Sequence, residues 1–151
     1  MATTILVQDY MTASPHSIGV SVSLADASNM MKAYKIRHLP VLDGNTLVGI
    51  VSDRDIQMVE SMPGVNPEEM PIEEAMSQSP YTVASTTPLE VAARHMALHK
   101  LGSAVVVDAN QKVIGVFTVT DGMRALADLL GRLPADVVIE AESRPAPKNP
   151  A

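Results

Sequence analysis

Apolar and polar positions alternate with two different periods along the chain, and they predict helices separated by strands. Between residues 23 and 34 the apolar residues fall three or four positions apart, which is the spacing of one face of a helix. They are Leu24, Ala27, Met31 and Tyr34. Ser23, with Asp26 three positions later, matches a capping box. The segment is therefore predicted to be an amphipathic helix that begins near Ser23.

Two short apolar segments follow that helix and predict a β-hairpin. Residues 38–42 and 46–51 are rich in Leu, Val and Ile, and a turn sequence of Asp, Gly and Asn at 43–45 joins them. A second helix is expected to begin at residues 52–55, where Ser, Asp, Arg and Asp provide capping groups. The order of elements here is helix, strand, strand, helix.

The second half of the chain predicts the same order with a short strand in front. Thr87 and Pro88 mark the start of a helix, with Pro at its first position, and Gly131 marks the end of the last helix. The strands are expected at 81–83, 104–108 and 113–119, and the last helix over residues 120–130. The predicted unit is strand, helix, strand, strand, helix.

The sequence also repeats itself across these two halves. Pairs 65 positions apart are Met11 and Met76, Pro15 and Pro80, Leu24 and Leu89, Met31 and Met96, Val41 and Val106, and Asp43 and Asp108. Pairs 66 positions apart are Gly49 and Gly115, Ile50 and Val116, Ser52 and Thr118, and Asp55 and Asp121. The slip of one residue falls in the hairpin turn, so the chain is predicted to contain two copies of one supersecondary unit.

These repeats divide the chain into four predicted segments. Repeat 1 covers residues 7–61 and repeat 2 covers 71–132, and a linker with Pro and Gly joins them at 62–70. Residues 133–151 form a Pro-rich tail that is expected to be partly disordered, although its apolar residues 137–139 could dock as a short strand. Each repeat exposes an apolar sheet face that the other can cover, so neither is expected to be stable alone.

Composition and charge argue against several classes of partner. The formal net charge of −6 opposes the basic surface that binds nucleic acid, and one Phe, three Tyr and no Trp give no aromatic platform for single strands. The apolar runs are too short to span a membrane, and there is no cysteine for a disulfide or a thiolate site. Residues 1–9 do not resemble a secretory signal, so a cytoplasmic location is expected.

Candidate catalytic groups are scarce. No nucleophile is paired with a base and no Gly-rich phosphate loop is present, so neither enzymatic activity nor a required cofactor is expected. His95 and His99 lie four positions apart on one helix, a spacing that can hold a metal, but no third ligand accompanies them. Asp53 and Asp55 lie two positions apart at a helix start and point in different directions, which argues against a pair of catalytic acids.

Two Ser/Thr-x-x-Asp sequences have two candidate roles. Ser52 with Asp55, and Thr118 with Asp121, match helix capping boxes, which need no ligand. A helix N-terminus also gathers unpaired N–H groups that attract phosphate, and a carboxylate can accept from both hydroxyls of a ribose. Arg37 could clamp a phosphate or could lie only at a solvated helix end. Both interpretations stay open at this stage.

At these positions the sequence resembles the CBS domain family, as a stand-alone pair of the bacterial or archaeal type, a Bateman module. The resemblance extends from about residue 7 to residue 132 and rests on three motifs in each repeat. In repeat 1 they are Asp-Tyr-Met-Thr at 9–12, Ile-Arg-His-Leu-Pro-Val at 36–41 and Gly-Ile-Val-Ser-Asp-Arg-Asp at 49–55. In repeat 2 they are Glu-Ala-Met-Ser at 74–77, Leu-Gly-Ser-Ala-Val-Val at 101–106 and Gly-Val-Phe-Thr-Val-Thr-Asp at 115–121.

The resemblance implies an α/β (α+β) fold in which two β-α-β-β-α repeats pack about a pseudo-twofold axis, with two clefts between them. In each cleft an Asp of one repeat would hold the ribose, and much of the base and phosphate environment would come from the opposite repeat. Carried over by position, the first cleft combines Thr118, Thr120 and Asp121 with Thr12, Pro15, His16, Ile36, Arg37 and His38. The second combines Ser52, Arg54 and Asp55 with Ser77, Pro80, Tyr81, Leu101, Gly102 and Ser103.

These two clefts are predicted to be chemically unequal. Arg37 and His38 give the first cleft a positive charge that Gly102 and Ser103 do not give the second. Arg54 adds charge to the second cleft alone. Unequal occupancy is therefore expected, with the first cleft the tighter site.

The resemblance also implies a regulatory, ligand-sensing function. The expected ligand is an adenine nucleotide (AMP, ADP or ATP) or a related adenosyl compound such as S-adenosylmethionine or NAD, whose binding would shift the repeats or a dimer. The alternative is a ligand-free structural or dimerisation module. We expect an unidentified target protein and a homodimer, and neither nucleic acid nor a membrane is an expected partner. The apolar residues expected between the two copies are Met123, Leu126, Leu129 and Leu130.

Overall fold

The computed structural model describes residues 3–134, in which eight strands and four helices form two similar halves. The first half contains β1 (Thr12–Ala13), β2 (Ile18–Gly19), α1 (Leu24–Tyr34), β3 (His38–Asp43), β4 (Thr46–Ser52) and α2 (Asp53–Glu60). The second contains β5 (Ser77–Gln78), β6 (Thr82–Ala84), α3 (Leu89–His99), β7 (Ser103–Val107), β8 (Val113–Thr118) and α4 (Val119–Gly131). The predicted mixed fold of two repeats is therefore confirmed, with a further two-residue strand at the start of each half.

The two four-stranded sheets exchange these short strands. One sheet has the order β2-β3-β4-β5 and the other β1-β8-β7-β6, so β1 lies in the sheet of the second half and β5 in that of the first. Thr12 lies opposite Val116 of β8, and Ser77 lies opposite Ile50 of β4, both in antiparallel pairs. The halves are thus interlocked by backbone pairing. The sequence pattern did not predict this exchange, because two residues are too few to show strand periodicity.

Two glycines allow the exchanged segments to pack closely. A Cβ atom at Gly49 would lie 2.5 Å from Sδ of Met76, and one at Gly115 would lie 2.6 Å from Sδ of Met11. Non-bonded heavy atoms pack best about 3.5–4.0 Å apart, so neither position has room for a side chain. The Gly and Met pairs are equivalent in the two repeats and hold each exchanged strand against its sheet.

The start of α3 differs from the prediction. The helix begins at Leu89, because Pro88 is extended (φ −56°, ψ 134°) and occupies the cap position before the helix. The Oγ1 atom of Thr87 accepts from the N–H of Ala84 at 3.2 Å and caps no helix. By contrast, α1 begins as predicted, with Oγ of Ser23 accepting from the N–H of Asp26 at 3.1 Å.

The end of α4 also differs from the prediction. Gly131 does not stop the helix; it is the last helical residue, and Arg132 follows in a right-handed conformation. The N–H groups of Arg132 and Leu133 donate to the carbonyls of Leu129 and Leu130, both at 3.2 Å, which tightens the last turn. The next residue is Pro134, and the restriction that proline imposes on the residue before it explains the end of the helix.

Each half has its own apolar core, and each core includes a residue from the other half. Val7 lies fully buried in the second core and Ile72 in the first, each from a 3-10 turn that leads into an exchanged strand. The largest buried side chain of the second core is Phe117. Burying these side chains requires both halves; that neither repeat is stable alone stays a prediction.

The predicted linker, residues 62–70, packs against the first core. The carbonyl of Met70 accepts from the N–H of Leu24, and that of Pro67 accepts from the N–H of Ala25, both at 2.9 Å. Residues 135–151, which include the segment 137–139 predicted to dock, lie outside the described residues. Among the helices that the structure describes, none combines the length and apolar character of a membrane span.

Candidate functional site

Two capped helix starts occupy equivalent places, where β4 leads into α2 and β8 leads into α4. The N–H of Asp55 donates to Oγ of Ser52 (3.1 Å), and the N–H of Ser52 donates to Oδ2 of Asp55 (2.9 Å). In the second half the N–H of Asp121 donates to Oγ1 of Thr118 (3.4 Å), and the N–H of Thr118 donates to Oδ2 of Asp121 (2.9 Å). Both Asp residues therefore cap their helices, as the sequence predicts.

Asp121 is held by more contacts than its counterpart in the first half. It is only 6% exposed, its Oδ2 also accepts from the hydroxyl of Thr118 (3.2 Å), and its Oδ1 accepts from Nη2 of Arg124 (3.1 Å). Arg124 donates in addition to the carbonyl oxygen of Tyr10 (3.0 Å), and the Tyr10 hydroxyl donates to Oδ2 of Asp128 (2.9 Å). Arg124 thus ties the cap of α4 to the exchanged segment.

The sequence did not predict this role of Arg124. The available signal was its position three residues after Asp121, a spacing at which helical side chains interact. The contact with the carbonyl of Tyr10 joins positions 114 residues apart and had no sequence signal.

The start of α2 is more negative, and its N–H groups are occupied. The N–H of Asp53 donates to the carbonyl of Arg37 (3.0 Å), and the N–H of Arg54 donates to Oδ1 of Asp53 (2.9 Å). The side chain of Arg54 is exposed. Within residues 3–134 no donor reaches Oδ1 of Asp55, and Met58 stands where α4 has its arginine. Asp55 therefore has one carboxylate oxygen available for a ligand.

The start of α4 has an available donor instead. The N–H of Val119 donates to the carbonyl of Gly102 (3.1 Å), but in the part of the chain that is described no acceptor takes the N–H of Thr120. The Thr120 side chain is exposed. Because helix N-terminal N–H groups carry partial positive charge, this helix start suits an anionic group better than that of α2.

The exchanged strands bring predicted residues of the opposite half to each helix start. Thr12 lies opposite Val116, two positions before the cap of α4, and Ser77 lies opposite Ile50, two positions before the cap of α2. Both Thr12 and Ser77 are exposed. These neighbours are the combinations that the family resemblance implies.

His38 lies between the two halves. Its Nε2 is 3.4 Å from the place that a Cβ of Gly102 would occupy. Burial lowers the pKa of His38, and the nearby carboxylates of Asp53, Asp55 and Asp121 offset this only in part. The lowered pKa favours the neutral imidazole near pH 7, so the positive charge that the sequence predicts for this cleft rests mainly on Arg37.

Residues 36–38 and 101–103 are joined by backbone bonds to the helix start of their own half. The carbonyl of Arg37 accepts from the first N–H of α2, and that of Gly102 accepts from the first N–H of α4. Because Nε2 of His38 lies 3.4 Å from the Cβ position of Gly102, the two segments lie side by side. The predicted roles of Ile36, Arg37, His38, Leu101, Gly102 and Ser103 in the opposite clefts remain predictions.

The predicted cleft residues His16 and Tyr81 lie over equivalent surfaces of α1 and α3. His16 stacks on Tyr34 with ring centroids 3.7 Å apart, and Tyr81 stacks on His95 at 4.0 Å. His95 also contacts His99, with centroids 4.3 Å apart. Within residues 3–134 no group of three His, Cys, Asp or Glu side chains could hold a metal ion.

The two predicted prolines, Pro15 and Pro80, are half-buried and follow the exchanged strands. Pro80 borders a cavity of about 410 Å³ near the hairpin turns. The other residues that line it are Asn45, Thr46, Leu47, Ser79, Thr82, Asn110 and Gln111. This cavity contains none of the other predicted site residues, so it is separate from the two helix starts.

The chain belongs to the CBS domain family. The family's sequence profile matches it twice, over residues 7–60 and 68–128. The pair of interlocked repeats and the equivalent capped helix starts described above lie within these matches.

Two relatives differ in the share of their own length that this chain covers. It is 35% identical over 117 residues to a homoserine O-acetyltransferase from Methanocorpusculum labreanum, covering 77% of this chain and 23% of the enzyme. It is 29% identical over 140 residues to a CBS domain-containing protein from Dictyostelium discoideum, covering 86% of this chain and 97% of that protein. The chain thus corresponds to a minor part of the enzyme and to nearly all of the second relative.

Three solved structures resemble this fold. The AcuB protein from Vibrio cholerae matches with a TM-score of 0.74 at 33% identity, covering 95% of this chain and 100% of that one. The CBS domain pair of MJ0100, in complex with 5′-methylthioadenosine and S-adenosyl-L-methionine, gives a TM-score of 0.74 at 26% identity, with 84% and 99% covered. CBSX2 in complex with AMP gives 0.68 at 33% identity, with 83% and 98% covered.

Proposed function

We propose that this chain is a regulatory module that binds an adenosyl ligand in the clefts between its two repeats. The candidates are AMP, ADP, ATP, S-adenosylmethionine and NAD. The observation that carries the proposal is the pair of equivalent helix starts, each with a capping Asp and each bordered by a strand from the other half. Two proteins of the same fold, crystallised with AMP or with 5′-methylthioadenosine and S-adenosylmethionine, support it.

The carboxylates of Asp55 and Asp121 suit a ribose. A carboxylate has about four lone-pair sites; Asp55 accepts one bond and Asp121 accepts three. Asp55 can therefore accept both donors of a ribose diol, and Asp121 can accept one. Arg124 also holds Asp121 in one orientation, and this preorganisation lowers the entropy cost of binding.

The two helix starts favour ligands of different charge. The α4 start combines the available N–H of Thr120 with the cation of Arg124 and one carboxylate, whereas the α2 start has two carboxylates and one exposed cation, Arg54, beside occupied N–H groups. Nucleotides with phosphate groups should therefore prefer the α4 cleft, and the cationic S-adenosylmethionine should prefer the α2 cleft. The α4 cleft stays the expected tighter site for AMP, but for reasons other than a charged His38.

Binding in a cleft that borders both halves would change their arrangement, and a separate target protein would recognise the change. We assign the chain a regulatory role and no reaction of its own. A homodimer and a cytoplasmic location remain our expectations.

A panel of ligands tests this proposal. Thermal melts with AMP, ADP, ATP, S-adenosylmethionine and NAD should show a rise for at least one ligand, because binding to the native state stabilises it by about 2.7 kcal/mol at 100 times Kd. Inorganic phosphate and ribose 5-phosphate are the controls without adenine. Calorimetry then counts the sites, and chromatography of the ligand checks for turnover. If no adenosyl compound raises the melting temperature at millimolar concentration, the ligand-free dimerisation module is the better assignment.

A further inference from the structure

One histidine lies beside both capped helix starts. His38 is the first residue of β3 and lies opposite Ser52, the residue that caps α2, in the antiparallel pair of β3 and β4. Its Nε2 atom also lies 3.4 Å from the Cβ position of Gly102 in the second half. The carbonyl of Gly102 accepts from the N–H of Val119, the first residue of α4. The imidazole is therefore next to both places where the proposed function puts a ligand.

Charged groups of both halves act on this imidazole. Asp53 and Asp55 at the start of α2, and Asp121 at the start of α4, favour its protonated form. Arg37, its neighbour in sequence, opposes protonation. Burial outweighs the three carboxylates and keeps the pKa of His38 below its ordinary value. A further negative charge close to the ring would therefore shift the balance towards the protonated form.

The ring of His38 remains open to a proton and to a ligand. Within residues 3–134 neither ring nitrogen is hydrogen-bonded, and no buried side-chain nitrogen there lacks a partner, so both nitrogens keep contact with solvent. The partner strand β4 and residues 101–103, which surround the contact with Gly102, carry no ionisable side chain. The imidazole can thus gain a proton and donate a hydrogen bond to an acceptor in the cleft.

A phosphate-bearing ligand would supply the further negative charge. The N–H of Thr120, which no acceptor takes within the described chain, comes directly after the N–H of Val119 that is bonded to Gly102. A phosphate held by this N–H would lie next to the segment that His38 contacts, and it carries about 1.5–2 negative charges at pH 7. The protonated imidazole binds such a group more strongly than the neutral ring does, because both charge and hydrogen bonding then act together.

We propose that His38 couples ligand binding to proton uptake, so that a phosphate-bearing adenosyl ligand binds more tightly as the pH falls from neutral to slightly acidic. This inference rests on the proposed function and adds a response to pH. Because the bound phosphate favours the protonated ring, formation of the complex takes up a proton, and a lower pH strengthens it. Adenosine, which has no phosphate, gains nothing from this proton.

Calorimetry with AMP at pH 7.5 and pH 6.0 tests the coupling in the full chain. Because the phosphate of AMP itself titrates at about pH 6, each Kd is compared with that of His38→Gln at the same pH. The ratio of Kd values, variant over wild type, should rise about threefold from pH 7.5 to pH 6.0. His99→Gln is the matched control: it removes an exposed histidine of α3 outside the predicted clefts, and its ratio should stay constant. With adenosine the ratio for His38→Gln should stay constant too.

Proton NMR gives a second measurement on the native sequence. The four histidines have four Cε1-proton signals, and resonance assignment identifies that of His38. Saturating AMP should raise the pH midpoint of the His38 signal and leave that of His99 in place. If AMP binds but the Kd ratio is constant, or the His38 midpoint does not move, the coupling is overturned and the proposed function stands. If no adenosyl compound binds, the proposed function fails, and the coupling fails with it.

Discussion

Nη2 of Arg124 lies 3.1 Å from Oδ1 of Asp121, and this ion pair has no counterpart in the first half, where Met58 stands at the equivalent position after Asp55. The same guanidinium donates to the carbonyl of Tyr10 at 3.0 Å. The cap of α4 is therefore coupled to the exchanged strand, and the cap of α2 lacks this coupling.

Replacing Arg124 with the residue of the other repeat removes that coupling. Arg124→Met should lower the free energy of unfolding by about 0.5–1.5 kcal/mol, since the hydrogen bonds to Asp121 and Tyr10 are lost. AMP affinity should fall about fivefold, the equivalent of about 1 kcal/mol. Arg94→Met, which breaks an ion pair with Glu90 on the exposed surface, should change neither quantity appreciably. Unchanged AMP affinity in Arg124→Met would contradict the positioning role.

Substitution can show whether the two capping acids, Asp55 and Asp121, also bind the ligand. If they hold ribose, Asp121→Asn and Asp55→Asn should each weaken binding to their own cleft by about 1.5–3 kcal/mol, because Asn keeps the shape but loses the charge. AMP should be affected more by Asp121→Asn, and S-adenosylmethionine more by Asp55→Asn.

Calorimetry beside thermal melts of the same two variants distinguishes this result from a purely structural role. If the two acids only cap their helices, each substitution should lower the stability by up to about 2 kcal/mol and leave the ligand affinity unchanged. Intact affinity and stoichiometry in both variants would remove these residues from the site.

The stability of the protein should decrease below neutral pH, because protonation of His38 is less favourable in the folded state than in the unfolded state. Burial lowers the pKa of His38 in the folded state, Arg37 lowers it further, and Asp53, Asp55 and Asp121 act in the opposite direction. The unfolded state therefore binds the proton first, and stability falls as the pH drops below about 6.5. His38→Gln should show a shallower decline of melting temperature between pH 7.5 and pH 5.5. Identical slopes in the two proteins would refute this assignment.

Gly49 and Gly115 should tolerate no side chain. Gly49→Ala and Gly115→Ala should each destabilise the fold by about 1–3 kcal/mol, because the new Cβ meets both a Met sulfur and a backbone carbonyl of the exchanged segment. Gly131→Ala is the control: nothing lies within 4 Å of its Cβ position, and alanine in a helix is favoured by up to about 1 kcal/mol. Denaturant unfolding measures all three, and wild-type stability in the first two would show that the strands can separate.

The protein should form a homodimer through the outer face of α4. Met123 and Leu130 lie seven positions apart, hence on one side of the helix, and are 59% and 45% exposed. Light scattering at micromolar concentration should show a dimer that Met123→Glu with Leu130→Glu converts to a monomer, while Leu98→Glu on α3 should leave it intact. A monomeric wild-type protein would refute the prediction.

The sequence alone was sufficient for features that depend on residues close together in the chain. The capping pairs Ser52 with Asp55 and Thr118 with Asp121 are three positions apart, so their geometry follows from helix formation itself. The two repeats and the family also followed from the sequence, because the same short motifs recur in the same order.

Tertiary structure decided what depends on contacts between distant residues. Only the folded chain shows that Thr12 pairs with Val116 across the repeats, and that Arg124 reaches the carbonyl of Tyr10. Likewise, the charge of His38 depends on how deeply it is buried between the halves, which its neighbours in sequence do not reveal. The physical reason is that strand exchange and burial bring together groups with no periodic relation along the chain, whereas caps and helices are local.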